Sequence, residues 1–422
     1  MGKEEPSPNG LRSLPRNVWV LTVTSFLTDV SSEMVVNLLP LLLVSVLGVR
    51  TGVVGLIEGI AETTASLVKL GSGWLSDRLG RRKPLVVLGY GLSTAAKPVL
   101  FLATSWWMVL GVRFADRLGK GLRTAPRDAM VADSIRAEQR GLAFGLHRAG
   151  DTAGAVIGLT IALGIVLAGG AQASLTRETF QRVVLFSLIP ALLAVGLLVV
   201  GLREHSRRQG GRERNAGHVR DLGRRFLLYL ATIGLFALGN SSDAFLILRA
   251  SSVGLAVAGV LGMLIAFNLV YALAATPAGA ASDRAGRKNL LLGGWLIYAL
   301  VYLGFARMSA AWQAWLLMMV YGLYYALTEG VGKAVVADLV APEQRGLAFG
   351  MQAAVIGIMA LPASLLAGVM WQGIGAWPGL GPSAPFVMGA ALAGIACVLL
   401  AFQDLRPSPA PAPFPAGERR LP

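Results

Sequence analysis

Two pairs of acids stand four residues apart in apolar surroundings, Asp29 with Glu33 and Glu58 with Glu62. A third group, Arg113, Asp116, Arg117, Lys120, Arg123 and Arg127, falls within an arc of about 140° if its segment is helical at ~100° per residue. Further on, His147 and Arg148 stand one turn from Asp151, and Glu329 and Lys333 have the i, i+4 spacing of a helical ion pair. None of these patterns joins a nucleophile to a base, and none has the spacing of a metal-binding motif. An ionisable group at the centre of a bilayer costs roughly 2.5–3.5 kcal/mol, so these residues are expected to face a wet cavity or one another. Carboxylates in a partly desolvated cavity can take up and release protons near neutral pH, and the cations can pair with them or with a charged solute. Asp29 and Glu33 have no obvious cation near them in sequence and are read as coupling residues; Asp29 lies about 18 Å along its helix, near mid-membrane. The Arg113–Asp116–Lys120 stripe fits structural pairing and coupling equally well. The second half offers a more neutral polar set: Asn240, Asp243, Asn268, Tyr271, Tyr324, Tyr325 and Gln352. That contrast suggests coupling in the first half and solute contacts shared with the second.

What must position these residues is a membrane. Of 422 residues, 55% are hydrophobic and only 14% charged. A soluble domain carries about 25% charged residues, so most of this chain faces lipid or other protein. With roughly 20 apolar residues needed per crossing, twelve spans fit. They are read at 18–47, 52–75, 83–103, 105–128, 141–168, 182–202, 225–249, 252–280, 288–308, 311–338, 346–373 and 383–403. The 52 glycines would let such helices approach closely. Trp19, Trp106, Trp107, Trp312, Trp371 and Trp377 fall near span ends and read as interface anchors.

The net charge of +15 does not point to nucleic acid. Most Lys and Arg fall in loops on one side of the proposed membrane; Arg50, Arg177, Arg182, Arg249 and Arg307 are the exceptions on the other. That asymmetry places both termini in the cytoplasm, as expected for a bacterial inner (plasma) membrane protein. Residues 1–16 read as a cytoplasmic arm, and the first apolar run is too long for a cleavable leader. An arginine-rich linker, 203–224, separates two six-helix bundles, 17–202 and 225–405. A proline-rich tail, 406–422, is read as disordered. Cys397 is the single cysteine, so no intramolecular disulfide can form.

The chain also repeats itself. Gly73-Trp-Leu-Ser-Asp-Arg-Leu-Gly-Arg-Arg-Lys-Pro-Leu85 returns as Gly279-Ala-Ala-Ser-Asp-Arg-Ala-Gly-Arg-Lys-Asn-Leu-Leu291, and Glu138–Gly145 returns as Glu343–Gly350. Two repeats at nearly one offset mark a duplicated unit. The first repeat, at Gly73, Asp77, Arg78, Gly80, Arg81 and Arg82 and again at Gly279, Asp283, Arg284, Gly286, Arg287 and Lys288, resembles the signature loop of the major facilitator superfamily. The resemblance implies an all-α membrane protein of twelve transmembrane helices in two pseudo-symmetric six-helix bundles around a central cavity. It further implies that these loops gate, latching the bundles in the outward-facing state. Arg113 and the Gly119-Lys-Gly121 that follows it are similar to an element of proton-linked members, which implies a proton-transfer role for Arg113. The fifth span keeps the glycine spacing of an exporter element at Gly150, Gly154 and Gly158, with Ala155 in place of its proline.

The expected function is secondary transport of a small polar or charged solute by alternating access, proton-coupled and outward. No phosphate-binding Gly-x-x-x-x-Gly-Lys-[Ser/Thr] loop occurs, so direct use of ATP is not indicated. The organic solute would be cationic or zwitterionic. The alternative is a metal ion or metal chelate such as a siderophore, for which Asp29, Glu33, Glu58 and Glu62 would supply hard oxygen ligands. Outside transport, a sensor or membrane enzyme lacks the added domain or the catalytic cluster it would need. No cofactor, no resident metal and no nucleic acid partner is expected; the partners are the solute, protons and lipid, and a monomer suffices.

Overall fold

The structure, a computed structural model, describes residues 11–136, 139–170, 173–204, 222–341 and 344–405. Backbone N–H and C=O groups find no water in hydrocarbon, so apolar segments of this length satisfy them internally as helices. Twelve result: α1 (Arg16–Val46), α2 (Thr51–Leu79), α3 (Lys83–Phe101), α4 (Trp106–Asp133), α5 (Arg140–Ala168), α6 (Arg177–Gly201), α7 (Gly223–Ser252), α8 (Val257–Ala285), α9 (Arg287–Arg307), α10 (Ala311–Leu339), α11 (Arg345–Gln372) and α12 (Ala384–Ala401). No strand occurs among the described residues.

Nine of the twelve are long and apolar enough by themselves to cross a membrane. The three that are not, α2, α4 and α10, are the ones most interrupted by charged and aromatic polar side chains. Glu58 and Glu62 of α2, Arg117 of α4 and Tyr325 of α10 line the central cavity, so the polarity these helices lack the composition to hide is turned inward. Outward faces are apolar: Leu185, Ile189, Leu192 and Leu193 on α6 and Val387, Ile395 and Val398 on α12 are all exposed, as lipid contact requires.

Two spans expected to be continuous are broken. In α1 the regular helix stops at Val36, with Asn37 and Leu38 forming a turn ahead of Pro40; it resumes and ends in a π-helical turn over Leu42–Val46. Pro40 donates no N–H to the Val36 carbonyl four residues back, and its ring crowds that carbonyl, which accounts for a break here. In α7 the helix stops at Gly239; Asn240 takes φ −94°, ψ 82°, and helix restarts at Ala244. The two breaks face each other across the molecule's centre.

Within the first half, α1 packs on α5 and α6, α4 on α2 and α3, and α3 on α6. The second half repeats this with α7 on α11 and α12, α10 on α8 and α9, and α9 on α12. The halves meet along two seams, α2 with α11 and α5 with α8. On the first seam backbones nearly touch: a methyl group added at Gly55 would lie 2.0 Å from the Ser364 carbonyl oxygen. Thr63 Oγ1 donates to Gly357 O at 2.6 Å, and Thr51 Oγ1 donates to Gly368 O at 3.1 Å. At the end remote from the termini, Arg50 donates to Gln372 O at 2.6 Å and the Thr51 N–H to Gln372 Oε1 at 2.7 Å.

Of the tryptophans read as interface anchors, Trp107 and Trp312 are exposed at helix starts. Trp371 is not: it is buried near Phe245 and Phe386, because α11 turns that face toward α7 and α12. Glu138, Glu343, the 205–221 stretch of the linker, the 1–10 part of the N-terminal arm and the proline-rich tail from 406 lie outside the described residues.

Candidate functional site: a cavity between the two halves

A cavity of about 380 Å³ opens where the breaks in α1 and α7 meet α2, α4, α10 and α11. Its polar lining comes from Asn37, Glu58, Glu62, Ser66, Arg117, Asn240, Ser241, Ser242, Asp243 and Tyr325. The volume suits a small organic molecule, within the roughly 300–1,000 Å³ usual for ligand sites.

On the first-half wall the acids of α2 are met by the arginines of α4. Arg113 forks onto Glu58, Nε to Oε1 at 3.1 Å and Nη2 to Oε2 at 2.5 Å, with both side chains buried. Asp116 lies 3.9 Å from the same guanidinium. One turn along, Arg117 pairs with Glu62 at 3.1 Å. Arg123 donates to Ser93 Oγ at 2.7 Å and lies over the Tyr90 ring, 4.4 Å from its centroid. The stripe foreseen on α4 is therefore real and is answered mostly by α2 and α3. Lys120, by contrast, is exposed.

Asp29 and Glu33 stand apart from this network. Neither belongs to an ion pair among the described residues; Glu33 accepts from Asn37 Nδ2 at 2.8 Å. Lys97 of α3 reaches α1 here but donates to the hydroxyls of Ser31 and Ser32 rather than to a carboxylate. Asp29 lies against α5, where a methyl group added at Gly154 would lie 3.1 Å from its Cβ. On α5, His147 Nδ1 is 3.3 Å from Asp151 Oδ1, with the imidazole buried.

The second-half wall is built differently. Tyr321 and Tyr325 of α10 donate their phenol O–H groups to Asp243, at 2.9 and 3.2 Å. Tyr298 of α9 donates to Gly239 O at 3.0 Å and approaches Asn240 Oδ1 at 3.3 Å, so aromatic hydroxyls bond the opened backbone of α7. These rings pack on one another and on Tyr302 and Tyr324. Tyr321 and Tyr298 escaped the sequence reading; their signal was tyrosine recurring at helical spacing along α9 and α10. Ser241 and Ser242 were missed too, since nothing marked a break after Gly239.

Three expectations are corrected. Glu329 does not pair with Lys333, which is exposed. It reaches across the seam to Arg148 of α5 and accepts from Tyr271 at 2.6 Å, so the ion pair joins the two halves instead of stiffening one helix. Asn268 spends its amide on Leu264 O of its own helix at 2.9 Å and does not line the cavity. Asp151 pairs within α5 and, like Asp29, Glu33 and Arg148, is absent from the cavity wall. Arg82, Lys83, Arg287 and Lys288 of the repeated basic turns bond to other helices of their own halves.

Those turns are alike in detail. Gly80 ends α2 with φ +63°, and Gly286 joins α8 to α9 with φ +87°, backbone that side-chain-bearing residues rarely adopt. Arg82 pairs with Asp133 at the end of α4; Arg287 pairs with Asp338 at the end of α10, at 2.5 Å. Lys83 Nζ donates to Val199 O and Leu202 O at the end of α6, at 3.0 and 2.7 Å. Lys288 Nζ donates to Ala401 O and Gln403 O at the end of α12, both at 2.7 Å. Each turn thus ties three helices of one bundle together. Arg78 lies against Trp74, and Arg81 and Arg284 are exposed. The side chains of Asp77 and Asp283 lie outside the described residues.

A polar cavity between two like helical halves suits a membrane transporter, and comparison with known proteins gives the class. The model of the Major Facilitator Superfamily matches residues 21–253 and 229–421, and the chain belongs to that family. An uncharacterized MFS-type transporter of Methanocaldococcus jannaschii is 34% identical over 397 residues, spanning 93% of this chain and 96% of its own. The multidrug resistance protein MdtH of Salmonella newport is 31% identical over 140 residues, 33% of this chain and 35% of its own. A POT family transporter solved in complex with 5-aminolevulinic acid shares the fold, with a TM-score of 0.76 at 14% identity over 94% of this chain and 97% of its own. The protein is thus an integral membrane transporter, not an enzyme.

Proposed function

We propose that the protein exports a small polar or charged organic solute by alternating access, driven by protons. One observation carries this reading: the acids near the cavity divide into two kinds. Glu58 and Glu62 are committed to Arg113 and Arg117. Asp29, Glu33 and Asp243 are in no ion pair among the described residues. A carboxylate without a fixed cation is the kind that can exchange a proton as its surroundings change. Asp29 and Glu33 are the coupling pair in this reading, and Asp243 belongs to the solute. Arg113, Asp116 and Lys120 set the field around them. The halves, 17–202 and 225–405, move as bodies stapled by their basic turns, with Arg148–Glu329 as a contact made and broken between them. Both termini are cytoplasmic, following the positive-inside distribution. The outward direction rests on the glycines of α5 and on the partial likeness to a multidrug resistance protein.

The metal alternative finds less support. Its four ligands would be Asp29, Glu33, Glu58 and Glu62, and two of these are neutralised by arginine, which also repels a bare cation.

The test is proton flux in proteoliposomes holding a trapped pH dye, across amines, sugars, drugs, chelators and divalent metals. A compound that moves protons in the wild type but not in Asp29→Asn or Glu33→Gln supports coupled transport. Normal coupled flux in both variants sinks the coupling assignment. Solute movement without any pH change in the wild type leaves facilitated diffusion.

A further inference from the structure

The charge on the cavity wall does not balance. Four lining side chains are charged groups: Glu58, Glu62, Arg117 and Asp243. Arg113, just behind the wall, neutralises Glu58, and Arg117 neutralises Glu62. Asp243 is left over. It accepts two phenol hydrogen bonds and meets no lysine, arginine or histidine among the described residues. Beside it the Ser241 hydroxyl is buried yet has no hydrogen-bond partner, although buried hydroxyls nearly always have one. The Asn240 side-chain oxygen and the Ser242 hydroxyl complete a cluster of oxygens where α7 is interrupted, and all four residues line the same cavity. The site is rich in acceptors and one positive charge short. An ammonium group, with its charge and its several N–H donors, supplies both.

We propose that the transported solute carries a protonated amine, and that this ammonium docks on Asp243 at the break in α7. The inference rests on the transport reading and names the solute class for it. A bare inorganic cation would satisfy the charge but leave most of a 380 Å³ cavity to water. The apolar lining, Val36, Pro40, Ala237, Ile247, Ile356 and Ala360, calls instead for an organic body behind the charged head. The ring of Tyr325 adds a face on which a cation can rest.

The experiment is equilibrium binding and thermal stabilisation of the full chain in nanodiscs, using matched probes. Tyramine is compared with tyrosol, putrescine with 1,4-butanediol, and sodium chloride with potassium chloride. The expected result is saturable stabilisation by at least one amine and none by its alcohol. Asp243→Asn should weaken the amine by roughly tenfold to a hundredfold, the loss of a charge-assisted hydrogen bond. Asp243→Glu should restore part of the binding, and Tyr325→Phe should weaken it less than Asp243→Asn does. The restoration separates a lost contact from a misfolded chain. Equal binding of amine and alcohol, an Asp243→Asn protein that binds amine normally, or no amine binding at all would each overturn the proposal. Asp243-dependent stabilisation by sodium alone would overturn it in favour of an inorganic cation. If a neutral or anionic compound drives proton flux while no amine binds, this inference fails and the transport reading stands. If no compound is moved at all, the transport reading fails by its own assay, whatever binds.

Discussion

Aligned on their repeated segments, α4 and α10 are the same helix twice, yet they solve opposite problems. Where α4 carries Arg113, Asp116, Arg117 and Lys120, the equivalent positions of α10 are Met318, Tyr321, Gly322 and Tyr325. The partners have changed together. Glu58 and Glu62 on α2 correspond to Leu264 and Asn268 on α8. The buried fork of Arg113 on Glu58 in one half is thus a methionine facing a leucine position in the other, on the same backbone plan. A duplicated fold does not need the ion pairs to stand, since one half manages without them. The charge of the first half and the phenols of the second instead gather around the cavity between them.

The most damaging way to break that comparison is to remove one partner. Glu58→Leu should cost about 3–5 kcal/mol, because it strands the buried Arg113 guanidinium. Adding Arg113→Met, which completes the second half's pair in the first, should return most of that loss. Reversible unfolding in mixed micelles gives both values, and a double variant no more stable than the single one would contradict the equivalence. Next in size is the seam. Gly55→Ala should cost about 1–3 kcal/mol through overpacking against the Ser364 carbonyl. Gly71→Ala on the same helix, where a methyl meets nothing within 4 Å, should be near neutral by the same measurement. In the second half, Tyr321→Phe should lose about 1–2 kcal/mol and Tyr325→Phe less, following their hydrogen-bond lengths to Asp243. The smallest effect belongs to the turns. Arg82→Ala and Arg287→Ala should each cost about 1 kcal/mol or less, and by matched amounts, as partly exposed pairs do. Unequal values would show that the two staples are not duplicates in function.

The fold was legible in the sequence because lipid leaves a chain few options: apolar length implies helix, and a repeat with one offset implies two like bundles. Turn glycines such as Gly80 and Gly286 were legible for a similar reason, since few residues tolerate their backbone. Pairing was legible only in part. The i, i+4 rule describes neighbours on a helix surface in water and put Glu329 with Lys333. Between packed helices the nearer cation came from another bundle, and Arg148 took the carboxylate. Glu58 was bound to be paired, but that its partner is Arg113, distant in sequence, depends on how α2 meets α4. The break in α7 had no proline to announce it. It rests on phenols of α9 that bond the opened backbone and phenols of α10 that bond the Asp243 carboxylate, and only the assembled half brings these together.

The seam between α2 and α11 has a mechanical consequence. Helices that interlock through large side chains must lift knobs out of holes before they can turn against each other. Here carbonyl and Cα atoms face each other where those knobs would be, at Gly55 with Ser364, Gly59 with Leu361 and Gly368 with Thr51. Such a surface is smooth on the scale of a side chain. It would act as a bearing: turning one body against the other would break the few hydrogen bonds that cross the seam, such as Thr51 to Gly368 and Thr63 to Gly357, without withdrawing a row of large side chains.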